Sequence, residues 1–298
     1  MMKSNVKIFW TLFASVLTVL LYSCMSGSAK RPDNAANKKV ISIAVTQKPT
    51  YPDMITYAIQ PIMEKKGYVI KQRAIDEARM LANLLNEGEV DMVVAGHRAA
   101  YDYIKKYTGV EVATLITVPS ATEGIFSKKL NIRTVDELKR QVEKGDVVLL
   151  PNDPSNLPRS LIFLERLGFL TIKDDVVKGE ATERDISKNP YELVFRGMNA
   201  AQIPRNLESV AFAVIFGDDA DLLGILDQAI VREVSPGEEY LIFFGVKPGN
   251  EERQWAKDFK DAVLSEEYKN VIECPKYRFH TYQRPKWYVE KWGIQNKY

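Results

Sequence analysis

Residues 151–160 read PNDPSNLPRS, and this stretch decides the fold because it joins a buried strand to an amphipathic helix. The four apolar residues before it, 147–150, are typical of a buried strand, and apolar residues at helical spacing follow it until Gly168. Pro158 is tolerated only in a first helical turn, so Arg159 is predicted to lie near the helix N-terminus. Free backbone N–H groups favour an anion there, and a ligand carboxylate would suit the guanidinium. The spacing is equally compatible with a capped helix that carries a surface arginine.

The N-terminal residues have the pattern of an export signal. Two lysines precede an uncharged apolar run, residues 8–22, which is shorter than the roughly 20 residues that a membrane-spanning helix needs. The run ends in Leu-Tyr-Ser-Cys, which resembles the lipobox of bacterial lipoproteins, whose cysteine is lipidated. We predict a signal peptide over residues 1–23, lipid attachment at Cys24 and a flexible polar tether over residues 24–38. An ordinary cleaved signal peptide and an uncleaved anchor are the alternatives.

Charge and cysteine content fit an exported globular protein. The chain has 41 basic and 39 acidic residues, and loss of the signal peptide would remove two lysines and leave 39 of each. That balance gives no support for nucleic-acid binding. With Cys24 assigned to lipid, Cys274 has no partner for an intramolecular disulfide, so stability must come from the burial of a core.

Strand-like and helical apolar patterns alternate from residue 39 onward and predict an α/β fold. In the first half the predicted strands are 40–45, 68–72, 90–95, 112–119 and 124–126, and the predicted helices are 53–67 and 78–85. In the second half the predicted strands are 147–150, 193–195, 210–216 and 240–246, and the predicted helices are 134–143, 156–168, 200–207, 252–265 and 266–274.

The order of these elements predicts two lobes with two chain crossings between them, near residues 118 and 235. We assign residues 39–118 and 235–274 to lobe 1 and residues 119–234 to lobe 2. Such a layout places a ligand cleft between the lobes, at the ends of the strands.

The chain resembles the methionine-binding lipoproteins of ABC importers, the family that includes the lipoprotein-28 type proteins. The motifs that carry the resemblance are PNDPSN at 151–156 followed by Arg159, FSKK at 126–129, VDEL at 135–138, NPYELVF at 189–195 and AAQIPR at 200–205. The resemblance implies a two-lobed type II periplasmic-binding-protein fold with an interlobe cleft, no catalysis and no cofactor. It also implies delivery of a small solute to a membrane permease and its ATPase by an exported, lipid-anchored protein on the periplasmic or cell-surface side. We expect a monomer.

Some of the family's ligand contacts transfer to this chain. Arg159 matches the arginine that binds the ligand carboxylate, and Asn156 of the same motif is included in the predicted site. His97 matches a histidine of the pocket lining, with a neutral structural histidine as the alternative. Tyr101 lies one position away from Ala100, where the family has a tyrosine, so it is a weaker candidate.

Other pocket positions depart from the family. Ala95 stands where the family has phenylalanine, and Phe216 replaces an asparagine that binds the ligand. We expect Phe216 to pack on the ligand and Asp218 or Asp219 to receive its ammonium group, unless both acids are only solvated ends of a strand. The predicted solute carries a carboxylate and is methionine, a derivative or another amino acid, with methionine itself expected to bind weakly.

Residues 275–298 extend beyond the resemblance and contain seven aromatic residues among Lys and Arg. We predict that this extension folds back on lobe 1 with its rings over apolar surface; contact with a membrane surface or with a partner is the alternative. Stacking on nucleic acid is excluded in practice, because an exported lipoprotein has little opportunity for it.

The sequence gives no support for an enzyme. It contains no GxSxG, HExxH, CxxC, GxGxxG or P-loop motif, and its two histidines are too far apart in sequence to predict a metal site. The classes that remain are a solute-binding component, an exported enzyme on the same scaffold, and a sensory or adhesive lipoprotein without transport.

Overall fold

The computed structural model describes residues 40–75, 78–128 and 132–296. They belong to one compact unit that begins at Lys38. The predicted signal peptide, the tether and Cys24 lie outside the described residues. Within these ranges, no helix is both long enough and apolar enough to cross a membrane.

The strands of the described residues are named here in chain order. They are β1 (Val40–Val45), β2 (Val69–Ala74), β3 (Met92–Val94), β4 (Ala113–Thr117), β5 (Gly124–Phe126), β6 (Val147–Pro151), β7 (Thr171–Ile172), β8 (Ile186–Lys188), β9 (Val194–Met198), β10 (Phe212–Ile215), β11 (Val231–Arg232) and β12 (Phe243–Val246).

The helices are named in the same way. The α-helices are α1 (Thr50–Met54), α2 (Gln60–Lys65), α3 (Ala78–Glu87), α4 (Arg98–Thr108), α5 (Val135–Gln141), α6 (Asn156–Arg166), α7 (Gly217–Leu222), α8 (Gln254–Val263), α9 (Glu266–Ile272) and α10 (Lys286–Trp292). A π-helical turn, Ile55–Ile59, joins α1 to α2. The 3₁₀ turns are Lys178–Glu180, Glu183–Asp185, Ala200–Ser209, Leu226–Gln228, Glu238–Tyr240, Asn250–Glu252 and Arg278–Thr281.

Lobe 1 is built on a five-stranded sheet of order β2-β1-β3-β12-β4. β1 pairs in parallel with β2 and β3, whereas β12 is antiparallel to β3 and β4. Helices cover both faces of this sheet, which explains why β1 is apolar along most of its length. Alternate side chains of β1 therefore enter different cores: Ile43 packs in the cluster that includes α8 and α9, and Ala44 packs in the cluster that includes α3 and α4.

Lobe 2 is built on a second five-stranded sheet, of order β11-β5-β10-β6-β9. β6 is parallel to β9 and β10, and β5 is antiparallel to β10 and β11. Two segments join the lobes: crossing 1 (residues 118–123) connects β4 to β5, and crossing 2 (residues 233–240) connects β11 to β12.

Most predicted elements are present with shifted ends. The first helix begins at Thr50 rather than at Asp53. Pro49 already has helical backbone angles and precedes the helix without a capping side chain, so Asp53 lies inside the first turn. The predicted helix 200–207 is a 3₁₀ helix, and Pro204 inside it has no N–H to donate to an α-helical bond. Helices α4, α7 and α10 are absent from the prediction.

The C-terminal segment folds back on lobe 1. Phe279, Tyr282 and Tyr288 are buried in the same apolar cluster as β1 and α8. The Tyr288 hydroxyl donates to Glu273 Oε1 at 2.8 Å, and Trp287 Nε1 donates to the Thr117 carbonyl at 2.9 Å. The aromatic rings of this segment are thus part of the lobe 1 core.

Phe279→Ala tests this packing. Phe279 is 4% exposed and its ring contacts Tyr277 and Tyr282. Truncation of a buried phenylalanine leaves a cavity, so the free energy of unfolding should fall by about 3–5 kcal/mol. Urea denaturation measures the change. Val177→Ala, at a side chain that is 70% exposed, is the control and should change it by less than about 0.5 kcal/mol. An equally small change for Phe279→Ala would remove this segment from the core.

Candidate ligand-binding site

The loop between β6 and α6 is held by one carboxylate. Asp153 Oδ1 accepts from the backbone N–H of Asn156 at 3.0 Å and from Asn156 Nδ2 at 2.9 Å. It also accepts from the Ser155 hydroxyl at 2.9 Å. Asp153 therefore supplies the capping interaction of α6 and fixes the amide of Asn156, as the polar run in 151–160 predicts.

His97 of lobe 1 meets Asn156 of lobe 2. His97 precedes α4, is 3% exposed, and accepts from the backbone N–H of Ala100 through Nδ1 at 3.3 Å. Nε2 therefore carries the proton and donates to Asn156 Oδ1 at 2.9 Å. Burial lowers the pKa of His97 to about 4, and the neighbouring Arg159 adds to this effect. The ring is thus neutral at physiological pH and joins the lobes by a directional hydrogen bond.

Arg159 lies in the first turns of α6 and is only 6% exposed. Its Nε and Nη2 both donate to Glu233 Oε2 of crossing 2, at 3.2 and 2.5 Å. Its guanidinium lies over the ring of Tyr240, 5.3 Å from the ring centre, and the same ring meets His97 edge-on at 5.4 Å. The ring of Tyr240 thus contacts both Arg159 and His97 and restricts their relative positions.

A second carboxyl group faces the same arginine. Glu123 of crossing 1 is 1% exposed, accepts from the Ser160 hydroxyl through Oε2 at 2.8 Å, and has Oε1 3.9 Å from Arg159 Nε. Within the described ranges Oε1 has no hydrogen-bond partner. Burial raises the pKa of Glu123 to about 8 despite Arg159, and the nearby Glu233 raises it further. Arg159 is the buried guanidinium that lies beside both buried carboxyl groups, so the raised pKa favours the protonated form of Glu123 near neutral pH.

A second contact between the lobes involves Lys48, Asp218 and Asp219. Lys48 Nζ, in the loop after β1, lies 3.1 Å from Asp218 Oδ2 and 2.8 Å from Asp219 Oδ1, in the first turn of α7. Gly217 allows the start of α7 to pack against crossing 1, because a Cβ there would lie 2.4 Å from the Thr122 carbonyl oxygen. Burial raises the pKa of Asp219, as does Asp218, while Lys48 opposes them.

Tyr51 of α1 connects the two parts of this region. Its buried hydroxyl is hydrogen-bonded to Ala121 and Ser120 of crossing 1, and burial raises its pKa. Asp218 raises the pKa of Tyr51 further and Arg159 lowers it, so the hydroxyl lies within the field of both charged groups.

The structure brings together Arg159, His97 and Asn156, and it places Asp218 at the same junction of the lobes. Phe216 follows β10, is half-buried, and precedes the first turn of α7. Tyr101 is placed elsewhere, in the interior of lobe 1.

Tyr101 is 1% exposed and packs edge-on against Phe243 with 5.3 Å between ring centres. It points inward because α4 turns its apolar face toward the sheet.

The sequence does not predict four further residues of this region, Lys48, Glu123, Glu233 and Tyr240. One feature of the sequence could have identified the two glutamates: each lies at a predicted crossing, between apolar segments predicted to be strands. A buried position is unfavourable for a carboxylate unless a cation is near, so their location at the crossings points to a partner.

A family model described as NlpA lipoprotein matches residues 41–287. The chain belongs to the NlpA lipoprotein family. The resemblance found in the sequence is thereby confirmed, and the match ends inside the segment 275–298 that the resemblance left out.

Relatives of this NlpA-family chain are similar over most of its length. It is 27% identical over 270 residues to the probable D-methionine-binding lipoprotein MetQ of Vibrio cholerae, which covers 89% of this chain and 94% of that protein. It is 31% identical over 210 residues to the D-methionine-binding lipoprotein MetQ of Escherichia coli, which covers 68% and 74% of the two chains.

Solved structures confirm the two-lobed α/β fold. A nutrient binding protein from Burkholderia cenocepacia bound to methionine matches with a TM-score of 0.69 at 25% identity, over 78% of this chain and 95% of that chain. A lipoprotein structure from Bacillus subtilis matches with a TM-score of 0.70 at 24% identity, over 80% of this chain and 95% of that chain. The two relatives named above are binding proteins, and this member of the family is not an enzyme.

Glu123→Gln tests the protonation of the buried carboxyl group. Between its ordinary pKa of 4.5 and its raised value of about 8, the folded protein keeps a proton that the unfolded chain releases. The contribution of Glu123 to stability is therefore highest at low pH and falls as pH rises through this window, by up to about 1 kcal/mol per pH unit.

Urea denaturation of the wild type and the variant across this pH range gives the comparison. Glu123→Gln should abolish the part of the pH dependence of the unfolding free energy that is due to Glu123. Glu208→Gln, at a side chain that is 84% exposed, is the control. Parallel pH profiles for wild type and Glu123→Gln would show that Glu123 is already ionised in the folded protein.

Proposed function

We propose that this NlpA-family chain is the solute-binding lipoprotein of an ABC importer. In this proposal it captures a small amino acid or amino-acid derivative between its lobes and presents it to a permease with its ATPase. The observation that carries the proposal is the buried guanidinium of Arg159 at the junction of both lobes, bordered by His97, Asn156 and Tyr240.

Arg159 supports a carboxylate as one end of the solute. Nε and Nη2 are engaged by Glu233, and Nη1 forms the remaining edge of the guanidinium. A ligand carboxylate can bind at that edge or take the place of Glu233, and in both cases the hydrogen bonds are charge-assisted. Protonation of Glu123 favours the binding of a ligand carboxylate, because it reduces the negative charge around Arg159.

Asp218 and Asp219 support an ammonium group as the other end. Two carboxylates share the single Nζ of Lys48, and among the described residues Asp219 Oδ2 is buried without a hydrogen-bond partner. An ammonium group would supply both the missing donor and the missing positive charge. The site would therefore bind a zwitterion between Arg159 and this acidic pair.

The identity of the solute is set by positions where this chain departs from its family. The relatives' names support methionine, but Ala95 contributes no aromatic wall and Phe216 has no hydrogen-bonding group. We therefore propose that L-methionine binds weakly and that another amino acid or a methionine derivative is preferred. A sensory or adhesive lipoprotein without transport is the second candidate, because the lobes contact each other directly, through His97 with Asn156 and Lys48 with Asp219.

A melting screen followed by calorimetry tests the carboxylate contact. The screen covers L-methionine, D-methionine, short methionine-containing peptides and the other amino acids. A solute at 100 times its dissociation constant stabilises the folded protein by about 2.7 kcal/mol, which raises the melting temperature by a few degrees. Calorimetry then measures the affinity of each hit for the variants.

The variant combines Arg159→Met with Glu233→Gln, because removal of the arginine alone would leave Glu233 buried and uncompensated. Affinity should fall more than tenfold, on the order of 2–5 kcal/mol. The matched control combines Arg166→Met with Glu233→Gln, since Arg166 is the second arginine near Glu233, with Nη1 3.9 Å from Oε1, but is half exposed. Equal affinities of the two double variants would remove Arg159 from the site.

Two outcomes of the screen discriminate between the functions. A submicromolar dissociation constant for L-methionine would show that the family's specificity is intact and that our interpretation of Ala95 and Phe216 is wrong. If no amino acid, derivative or peptide raises the melting temperature, the solute-binding proposal fails and the lipoprotein without transport is favoured.

We further propose that Cys24 carries the lipid that holds the protein at a bacterial membrane surface. Cys24→Ser should abolish incorporation of a fatty-acid analogue and release the protein from membranes or leave its precursor unprocessed. Cys274→Ser, which changes the other cysteine, should label like wild type. Equal labelling of wild type and Cys24→Ser would show that the lipid is attached elsewhere or not at all.

A further inference from the structure

A third segment touches both crossings. Gln283, in the turn between the last 3₁₀ helix and α10, is fully buried. The Ser120 N–H donates to the Gln283 carbonyl at 2.8 Å, and the Gln283 N–H donates to the Ser120 carbonyl at 2.9 Å. This reciprocal pair is an antiparallel bridge to crossing 1.

The side chain of Gln283 reaches crossing 2. Its Oε1 accepts from the backbone N–H of Ser235 at 2.7 Å. The acceptor must be the oxygen, because the donor is a backbone N–H. One buried residue therefore binds crossing 1 through its backbone and crossing 2 through its side chain.

Ser235 is held in an unusual conformation at this contact. Its φ is +47°, in the left-handed region that residues with a Cβ avoid. Such a conformation persists only where the surroundings determine it, and the Gln283 hydrogen bond is made by the strained residue itself. Loss of that bond would let crossing 2 relax to an ordinary φ and would change its direction.

The segment that carries Gln283 is anchored on both sides. In lobe 1, Arg284 donates to both carboxylate oxygens of Glu273, at 3.0 and 2.7 Å. Toward lobe 2, Arg278 Nη1 donates to Asp221 Oδ1 at 2.5 Å and the Tyr282 hydroxyl donates to Asp221 Oδ2 at 3.2 Å. Gln283 is thus held in place independently of the crossings.

We propose that Gln283 is a positioning residue that fixes the two crossings relative to each other. It thereby favours, before any solute binds, the arrangement of the lobes described here, in which His97 meets Asn156 and Lys48 meets the acids of α7 and which we call the closed arrangement. During domain closure the backbone angles change at a few residues of the segments that connect the domains. A contact that joins both segments therefore restricts closure and opening. Restriction to the closed arrangement raises affinity, because less of the free protein is in a form that cannot bind. The proposal goes beyond solute binding and does not need the identity of the solute.

The test measures the distance between the lobes in the solute-free protein. Spin labels are attached at Tyr107→Cys in lobe 1 and Val177→Cys in lobe 2, whose side chains are 64% and 70% exposed. The full-length chain carries Cys24→Ser and Cys274→Ser so that only these two sites react. The distance distribution is then recorded with and without Gln283→Met, which keeps the side-chain length and removes the acceptor.

Gln283→Met should broaden the distribution and shift it to longer distances. Hydrogen exchange of crossing 2 should become up to about tenfold faster, the equivalent of one lost hydrogen bond. Tyr68→Phe is the control, because it removes the 2.6 Å hydrogen bond to Asp258 within lobe 1 and touches neither crossing. It should leave the distribution unchanged.

Gln283→Glu separates a positioning role from a general loss of stability. In mildly acidic buffer its protonated carboxyl keeps an acceptor oxygen for Ser235, so the distribution should approach that of wild type at the same pH. In alkaline buffer the ionised, buried carboxylate of the Gln283→Glu variant should broaden the distance distribution. An unchanged distribution in both Gln283 variants would overturn the proposal while leaving solute binding intact, and the melting screen tests solute binding separately.

Discussion

The interlobe site depends on one buried guanidinium that is shared by two carboxyl groups. Arg159 comes from α6 of lobe 2, and its partners Glu123 and Glu233 come from the two crossings. Removal of Arg159 or of Glu233 leaves the charge of the other uncompensated in a place that water does not reach, so these two positions are constrained together. The arginine therefore links the helix that forms the site to both segments along which the lobes are connected.

Around this group, the contacts between the lobes differ in chemistry and in tolerance of water. The hydrogen bond between His97 and Asn156 is buried and directional, whereas the pair between Lys106 and Glu180 at the surface is exposed and screened by salt. The buried contacts determine which arrangement of the lobes is favoured. The exposed pair contributes little to that choice.

The sequence predicts the strand, loop and helix at 151–160 because local rules decide each step there. Capping chemistry fixes the start of α6, the position of Pro158 places Arg159 near it, and Gly168 ends the helix region with φ of +77°. It does not predict the partner of Arg159, because Glu233 lies 74 positions away and comes close only through the return of the chain. Helix α7 was missed for a different reason: its two acids resemble a solvated strand end until Lys48 from the other lobe is known.

The position of β12 has a consequence for the order in which the chain can fold. β4 has β12 as its strand partner and lies at the edge of the lobe 1 sheet, and β12 begins only at Phe243. Lobe 2 is complete within a continuous stretch of the chain, but lobe 1 must wait for strands and aromatic residues that are synthesised last. An emerging chain thus has one lobe that can close early and another that still lacks the strand between β3 and β4, and it reaches its final stability only when the C-terminal residues have arrived.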